Sequence, residues 1–241
     1  MPTHTPVRHC LVTGANRGLG LEFVRQLLEY ADRVVATCRH PGKATALNLL
    51  AGEHPGRLHV LPLDVAHQRA IAELLRELLL LDDDGDSDRL DLLVNCAGVL
   101  HSGERFGGIG AAHINDSFRT NAMGPFLLTQ ALAPRLRDGA RVANISSELG
   151  SIAGLTRFGT PSYNISKAAQ NMATALLAEA LRPRGIVVVA LHPGWVQTDM
   201  GGAGATITPA QSVTGLLRVI DGLKPADSGQ FRDWRGEPLS W

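Results

Sequence analysis

Residues 10 to 20 read CLVTGANRGLG: a short apolar run, a turn with glycines at 14, 18 and 20, and then the helix-period segment LEFVRQLLEY (21 to 30). A strand that passes through glycines into a helix is the setting a bound nucleotide requires. Glycine reaches backbone angles closed to other residues and lets the main chain approach a pyrophosphate, while the first amides and the dipole of the helix favour its negative charge. Thr13, Gly14, Gly18 and Gly20, with Asn16, Arg17 and Leu19 between them, are therefore candidate cofactor-binding residues. A turn of purely structural purpose is the other reading of the same glycines.

The remainder of the chain repeats the alternation that this stretch begins. RVVAT (33 to 37), LHVLPL (58 to 63), LDLLVN (90 to 95), RVANIS (141 to 146) and IVVVAL (186 to 191) are nearly continuous apolar runs, and GQFRD (229 to 233) is a weaker seventh. Strands covered on both faces have this composition. Between them, AIAELLRELLL (70 to 80), FLLTQALAPRL (126 to 136) and SKAAQNMATALLAEAL (166 to 181) carry apolar residues three and four apart, as helices do. Regular alternation implies right-handed crossovers. The predicted fold class is α/β, a single-domain doubly wound Rossmann fold of about seven mainly parallel strands with helices on both faces. At 241 residues the chain is too short for two ordinary enzyme domains, and it has no internal repeat or Gly/Ser linker. Residues 1–241 are thus expected to form one domain, with a nucleotide-binding half over roughly 1–100 and a catalytic and substrate half over roughly 101–241.

Composition narrows the partners. Lys plus Arg and Asp plus Glu both number 23, so no net field draws the protein to nucleic acid or to an anionic membrane. No uncharged apolar run reaches the length of a membrane span. Cys10, Cys38 and Cys96 lie in or beside apolar runs without metal-ligand spacing and read as buried free thiols. That usage, and the absence of a long apolar stretch in MPTHTPVRH, points to the cytoplasm. DDDGDSD (82 to 88) reads as a solvated surface loop; a metal site is the sharper alternative, but no Glu closes a calcium-loop pattern, so no metal is expected.

Two further segments carry chemistry. The second strand ends TCRHP, where a carboxylate would accept from both ribose hydroxyls of NAD. Arg39 instead presents a planar cation suited to a phosphate, and Arg17 could reach the same phosphate from the glycine turn. The cofactor indicated is NADP(H) rather than NAD(H); an Arg39 that is merely solvated is the alternative. In SYNISKAAQ, Tyr163 and Lys167 stand four apart at the start of a helix and project from one face. An unperturbed tyrosine titrates near pH 10, so a neighbouring ammonium that favours tyrosinate would make Tyr163 a usable acid and base.

Together these segments resemble the short-chain dehydrogenase/reductase family. The T-G-x3-G-x-G turn is matched by Thr13, Gly14, Gly18 and Gly20, the N-x-A-G turn by NCAG (95 to 98), the Tyr-x3-Lys pair by Tyr163 and Lys167, and the segment after the sixth strand by HPGWVQTDM (192 to 200). The four motifs follow the family order along essentially the whole chain. The resemblance implies roles residue by residue. Asp64 contacts the adenine and Val65 adds a backbone contact. Asn95 braces the sheet, with Ala97 and Gly98 beside the adenine ribose. Pro193, Gly194, Val196 and Thr198 line the nicotinamide, and Lys167 holds the ribose hydroxyls. Ser147, with Ser146 as runner-up, hydrogen-bonds the substrate oxygen and stabilises its developing charge, a contribution of a few kcal/mol. Asn121, in RTNAMGPF, holds a water in the proton relay unless it is an ordinary helix-interior asparagine.

One spacing departs from the commonest members: Ser147 precedes Tyr163 by sixteen positions, three more than is usual. With SSELGSI and the closing GQFRDWRGEPLSW, this resembles the subgroup of C-factor and sniffer-type carbonyl reductases, where the longer loop is usual. Leu149, Ile152, Leu155 and Phe158 on that loop, with Trp195 and Met200 opposite, are the candidate substrate contacts. The resemblance implies an NADPH-dependent reductase of ketones, aldehydes or quinones with Tyr163 as proton donor. A nucleotide-binding signalling or sensing protein of the C-factor type is the alternative. It also implies a homodimer or homotetramer formed through the helix carrying Tyr163, where MATALLAEAL (172 to 181) is apolar enough to bury.

Overall fold

The computed structural model of the chain describes residues 9–81 and 89–241; the acidic stretch 82–88 and the residues before His9 lie outside it. The elements are β1 (His9–Thr13), α1 (Gly18–Leu27), β2 (Arg33–Cys38), α2 (Thr45–Glu53), β3 (Leu58–Pro62), α3 (Gln68–Leu80) and β4 (Leu90–Asn95), then α4 (Ala111–Phe118), α5 (Gly124–Leu132), β5 (Leu136–Ile145), α6 (Pro161–Leu181), β6 (Val187–His192), α7 (Pro209–Gly222) and β7 (Phe231–Asp233). Every strand pairs parallel to its neighbours, in the order β3-β2-β1-β4-β5-β6-β7. This is the expected doubly wound Rossmann sheet.

The apolar runs are continuous because each strand is covered twice. Cys10 and Val12 of β1, with Leu92 and Val94 of β4, pack against Phe23 and Leu27 of α1 and Leu216 and Ile220 of α7. The intervening Leu11 and Leu93 face the other way, into Leu74 of α3, Leu128 and Leu132 of α5, and Leu177 of α6. Each such leucine, removed from water, contributes about 1.5–3 kcal/mol.

Boundaries differ from the sequence reading where a local residue overrules the pattern. The helix expected over 126–136 stops at Leu132 and tightens to a 3-10 turn over Ala133–Arg135. Pro134 has no N–H for the next turn, and β5 starts at Leu136, ahead of the expected Arg141. Helices α2, α4 and α7 were not among the segments read as helical. Of these, α7 had a legible start: Thr208 Oγ1 accepts from the Gln211 N–H at 3.2 Å, and Gln211 Oε1 accepts from the Thr208 N–H at 3.1 Å. That reciprocal pair is a capping box.

The sheet sets the site by aligning strand ends. Thr13 pairs with Thr37, Asn95 with Asn144 and Ile145 with Leu191, so the carboxyl ends of β1, β4, β5 and β6 open onto one edge. Strand order reverses between β1 and β4, with β2 and β3 laid to one side and β5 to β7 to the other, and that is where such sheets bind ligands.

Candidate active site

The glycine turn packs closely against main chain and is tied at its start by one hydroxyl. Gly14 and Gly18 lie at φ +65° and +56°, in the left-handed region. A Cβ on Gly14 would sit 2.8 Å from Ala97 Cα, and one on Gly20 would collide with the Gly14 carbonyl oxygen. Thr13 Oγ1 accepts from the Cys96 and Ala97 N–H groups, each at 3.0 Å, tying the end of β1 to the turn after β4. A Cβ on Gly18 would meet Thr198 Cγ2 at 3.4 Å, so the segment after β6 closes the third side. Helix α1 begins without a side-chain cap and without an acid in its first turn, leaving its N-terminal donors to an anion.

The two arginines differ in their partners. Arg17 Nη1 reaches across the turn to Asp199 Oδ2 at 2.7 Å, with both side chains largely exposed. Arg39 is exposed at the end of β2, with no hydrogen bond or ion pair among the described residues. Asp64 is engaged locally: Oδ1 accepts from the Ala66 N–H at 3.0 Å, and Oδ2 lies 3.1 Å from His67 Nδ1. Val65 is buried, its carbonyl oxygen 2.8 Å from where a Cβ on Gly124 would stand. Beyond β6, the Pro193 oxygen accepts from the Ser212 hydroxyl at 2.6 Å, Gly194 takes φ +81°, and Val196 is buried in a bridge with Ile207.

At the end of β5 the two serines part. Ser146 Oγ is buried and donates to Asn171 Oδ1 on α6 at 2.6 Å, which spends its proton away from the open edge. Ser147 Oγ accepts from the Leu149 N–H at 3.2 Å and is the hydroxyl that pulls on the Tyr163 phenol. Of the pair weighed from the sequence, Ser147 is the one that meets the tyrosine. Lys167 lies one turn on, its Nζ 5.5 Å from the centre of the Tyr163 ring. That ammonium is buried and donates to the Ile145 oxygen at 2.7 Å and to Gln170 Oε1 at 2.8 Å.

Burial dominates the electrostatics of this corner. It pushes the Tyr163 phenol up to about 12, against a smaller pull downward from the Ser147 hydroxyl, and it pushes Lys167 down to about 8. The expectation that Lys167 lowers the tyrosine needs restating for the cofactor-free protein: the amine is already neutral where the phenol would ionise. Near neutral pH Tyr163 is therefore a protonated donor beside a charged lysine.

Asn121 lies in a π turn, Arg119–Met123, between α4 and α5. Such turns interrupt helices most often at functional sites. Its amide donates to the Val99 oxygen at 2.8 Å and to Ser166 Oγ at 2.9 Å, while Oδ1 accepts from the Val99 N–H at 2.8 Å. Ser166 in turn donates to the backbone carbonyl oxygen of Tyr163 at 2.7 Å, so Asn121 fastens the loop after β4 to the start of α6. Asn95 braces the sheet from within: Nδ2 donates to Thr129 Oγ1 at 3.1 Å and to Asn144 Oδ1 at 2.8 Å.

Several neighbours escaped the sequence reading. The Glu104 carboxylate accepts from the Ser162 N–H at 3.1 Å and its hydroxyl at 2.9 Å, capping α6 one residue before Tyr163. Phe106 is 88% exposed and meets Phe158 edge-on with ring centres 5.8 Å apart, beside the expected contact residues Ile152 and Leu155. Trp241 ties down that loop: its oxygen accepts from the Ala153 N–H at 2.9 Å and the Ser151 hydroxyl at 3.3 Å, and its ring stacks on Phe231 of β7. None of these partners is near in sequence. Gln170, by contrast, is three positions from Lys167 and could have been found by helical spacing. Cys10 and Cys38 are buried as expected, whereas Cys96 is only half-buried at the sheet edge. A groove of about 500 Å3 between α1 and α7, lined by Gln26, Tyr30 and Arg218, lies at the far end of α1 and shares no residue with this corner.

Over residues 8–206 the sequence matches the short chain dehydrogenase family. The chain is a short-chain dehydrogenase. This short-chain dehydrogenase superposes on the carbonyl reductase Sniffer of D. melanogaster with a TM-score of 0.92 at 33% identity, covering 98% of this chain and 100% of that one. With an NADPH-bound carbonyl reductase from chicken fatty liver the TM-score is 0.89 at 38% identity, over 98% and 100% of the two chains. C-signal of Myxococcus xanthus is 48% identical over 154 residues, which are 63% of this chain and 93% of the relative. The chain is accordingly an oxidoreductase enzyme. Among the described residues, no helix is long and apolar enough to cross a membrane.

Proposed function

We propose that this short-chain dehydrogenase uses NADPH to reduce a ketone, aldehyde or quinone carbonyl to an alcohol, with Tyr163 giving the proton. The observation that carries the reading is the buried phenol of Tyr163, neutral, facing the Ser147 hydroxyl and one helical turn from a buried ammonium. Strongly perturbed ionisable groups cluster at functional sites, and the upward shift keeps on the phenol the proton that a donor must give.

The protein fits the cofactor at points the geometry exposes: an uncapped helix N-terminus behind the glycine turn, no space for a Cβ at Gly14 or Gly20, and an exposed Arg39 where a carboxylate would select NAD. Thr13, Gly14, Asn16, Arg17, Gly18, Leu19 and Gly20 take the pyrophosphate end, and Arg39 the extra phosphate. Asp64, Val65, Asn95, Ala97 and Gly98 border the adenosine; Pro193, Gly194, Val196 and Thr198 border the other end. Bound NADPH supplies the hydride. Lys167, with two of its three protons given to Ile145 and Gln170, has one left for the ribose hydroxyls. The Ser147 hydroxyl polarises the carbonyl oxygen, and Tyr163 donates its proton there as charge develops. Asn121 Oδ1 keeps one lone pair unused among the described residues, which is what remains to hold a relay water.

The nucleotide half extends over roughly 1–100 and the catalytic half over roughly 101–241. Ile165, Met172 and Leu176 form an exposed apolar stripe on α6, and we assign it to pairing with a second copy in a homodimer or homotetramer. Three unpaired thiols suit the cytoplasm.

The test is NADPH oxidation across a panel of carbonyls by the native chain and by Tyr163→Phe. Activity is expected to fall about a thousandfold in the variant while NADPH affinity is kept. The likeness to C-signal favours a second reading, a nucleotide-binding signalling or sensing protein. NADPH binding with no turnover by either chain would select it.

A further inference from the structure

We propose that Gln170 is a positioning residue for the reaction: its side-chain oxygen holds the Lys167 ammonium and sets the pH at which that lysine loses its proton. The inference rests on the reading of Lys167 as the charged partner of Tyr163.

Gln170 is fully buried on α6, one turn beyond Lys167, and its Oε1 accepts from Nζ at 2.8 Å. A glutamine in an apolar interior is costly unless both ends of its amide are satisfied. Here only the oxygen is: Nε2 has no partner among the described residues. The amide orientation is nonetheless fixed, because the reverse would turn an N–H toward the ammonium. A buried side chain that leaves its own donor unpaired in order to present an acceptor to one cation is placed for that cation.

The groups facing Lys167 are few. From its own helix there are Tyr163 and Gln170. The end of β4 presents Cys96, and β5 presents the Ile145 carbonyl. No carboxylate is among them, so two neutral acceptors carry the burden of keeping a desolvated amine charged. Burial already lowers Lys167 to about 8, close to working pH. Losing one acceptor would deprotonate it within that range, and the neutral amine would neither hold the ribose nor favour tyrosinate.

The sequence contains three lysines, Lys43, Lys167 and Lys224, so the ε-carbon signals of a ¹³C-lysine-labelled sample can be assigned with Lys43→Arg and Lys224→Arg. Titration of the cofactor-free protein is compared with Gln170→Met, which keeps the length but not the acceptor, and Gln170→Glu, which keeps the acceptor and adds charge. The Lys167 midpoint is expected to fall by about one pH unit in the first and to rise by at least that in the second. The alkaline limb of kcat/KM for reduction should move in the same directions. Midpoints unchanged in both variants, with native circular dichroism, would overturn the proposal, as would midpoints that move while the limb stays. An active Tyr163→Phe refutes the catalytic reading separately, and the lysine titration does not depend on it.

Discussion

The two sides of the cleft are built in opposite ways. Around the nucleotide turn, main chain meets main chain: Gly14 against Ala97, Gly20 against Gly14, Gly124 against Val65. On the side proposed for the substrate, large apolar side chains stand in solvent, with Phe106 at 88% exposure, Ile152 at 77% and Phe158 at 58%. Backbone offers the same hydrogen bonds whatever the neighbouring side chain, so the first surface suits one invariant ligand. Side chains on a loop can be exchanged without moving the sheet, so the second suits choice among carbonyls.

Four substitutions sharpen or break this contrast. Gly14→Val should act most strongly, because it forces a β-branched residue to φ +65° against Ala97. NADPH affinity, measured by calorimetry, is expected to fall about a hundredfold or more. Arg39→Asp should reverse the ratio of kcat/KM for NADPH over NADH by at least about tenfold, since a charge-assisted bond to phosphate gives way to repulsion. Phe158→Ala should raise KM for bulky aromatic carbonyls about threefold to tenfold and leave NADPH affinity unchanged, a loss of at most about 1.5 kcal/mol of ring contact. An equal loss of NADPH affinity in that variant would erase the distinction between the two sides. Arg17→Ala should be the mildest, about twofold on cofactor affinity, because the Asp199 pair it leaves is exposed and weak.

The same contrast explains what could be read from the chain. The strands were legible because Val12 is buried on one face of the sheet and Leu11 and Leu93 on the other, which gives short continuous apolar runs bounded by turns. The glycine turn and the Tyr163–Lys167 pair were legible because their chemistry depends on short spacings. Contacts made across the sheet left no local trace. Glu104 caps a helix 58 positions away, and Arg17 reaches Asp199 across 182. The choice between Ser146 and Ser147 depended on which hydroxyl faces the sheet edge, and that follows only once α6 brings Asn171 to Ser146. Helix α2 buries a single residue, Leu47, so its apolar pattern had little to report.

The contact between Trp241 and the loop at Ser151 and Ala153 joins the cover of the substrate to the outermost strand. β7 is three residues long and, beyond β6, is covered only by the terminal segment, through the Arg232–Pro238 bridge and the Leu239 N–H given to the Phe231 oxygen at 2.8 Å, so this corner is expected to loosen before the centre of the sheet. Warming or mild denaturant therefore slackens the substrate cover while the glycine turn, anchored between β1 and β4, is still intact. On the proposed function, discrimination among carbonyls is expected to fade at a lower temperature than affinity for the nucleotide.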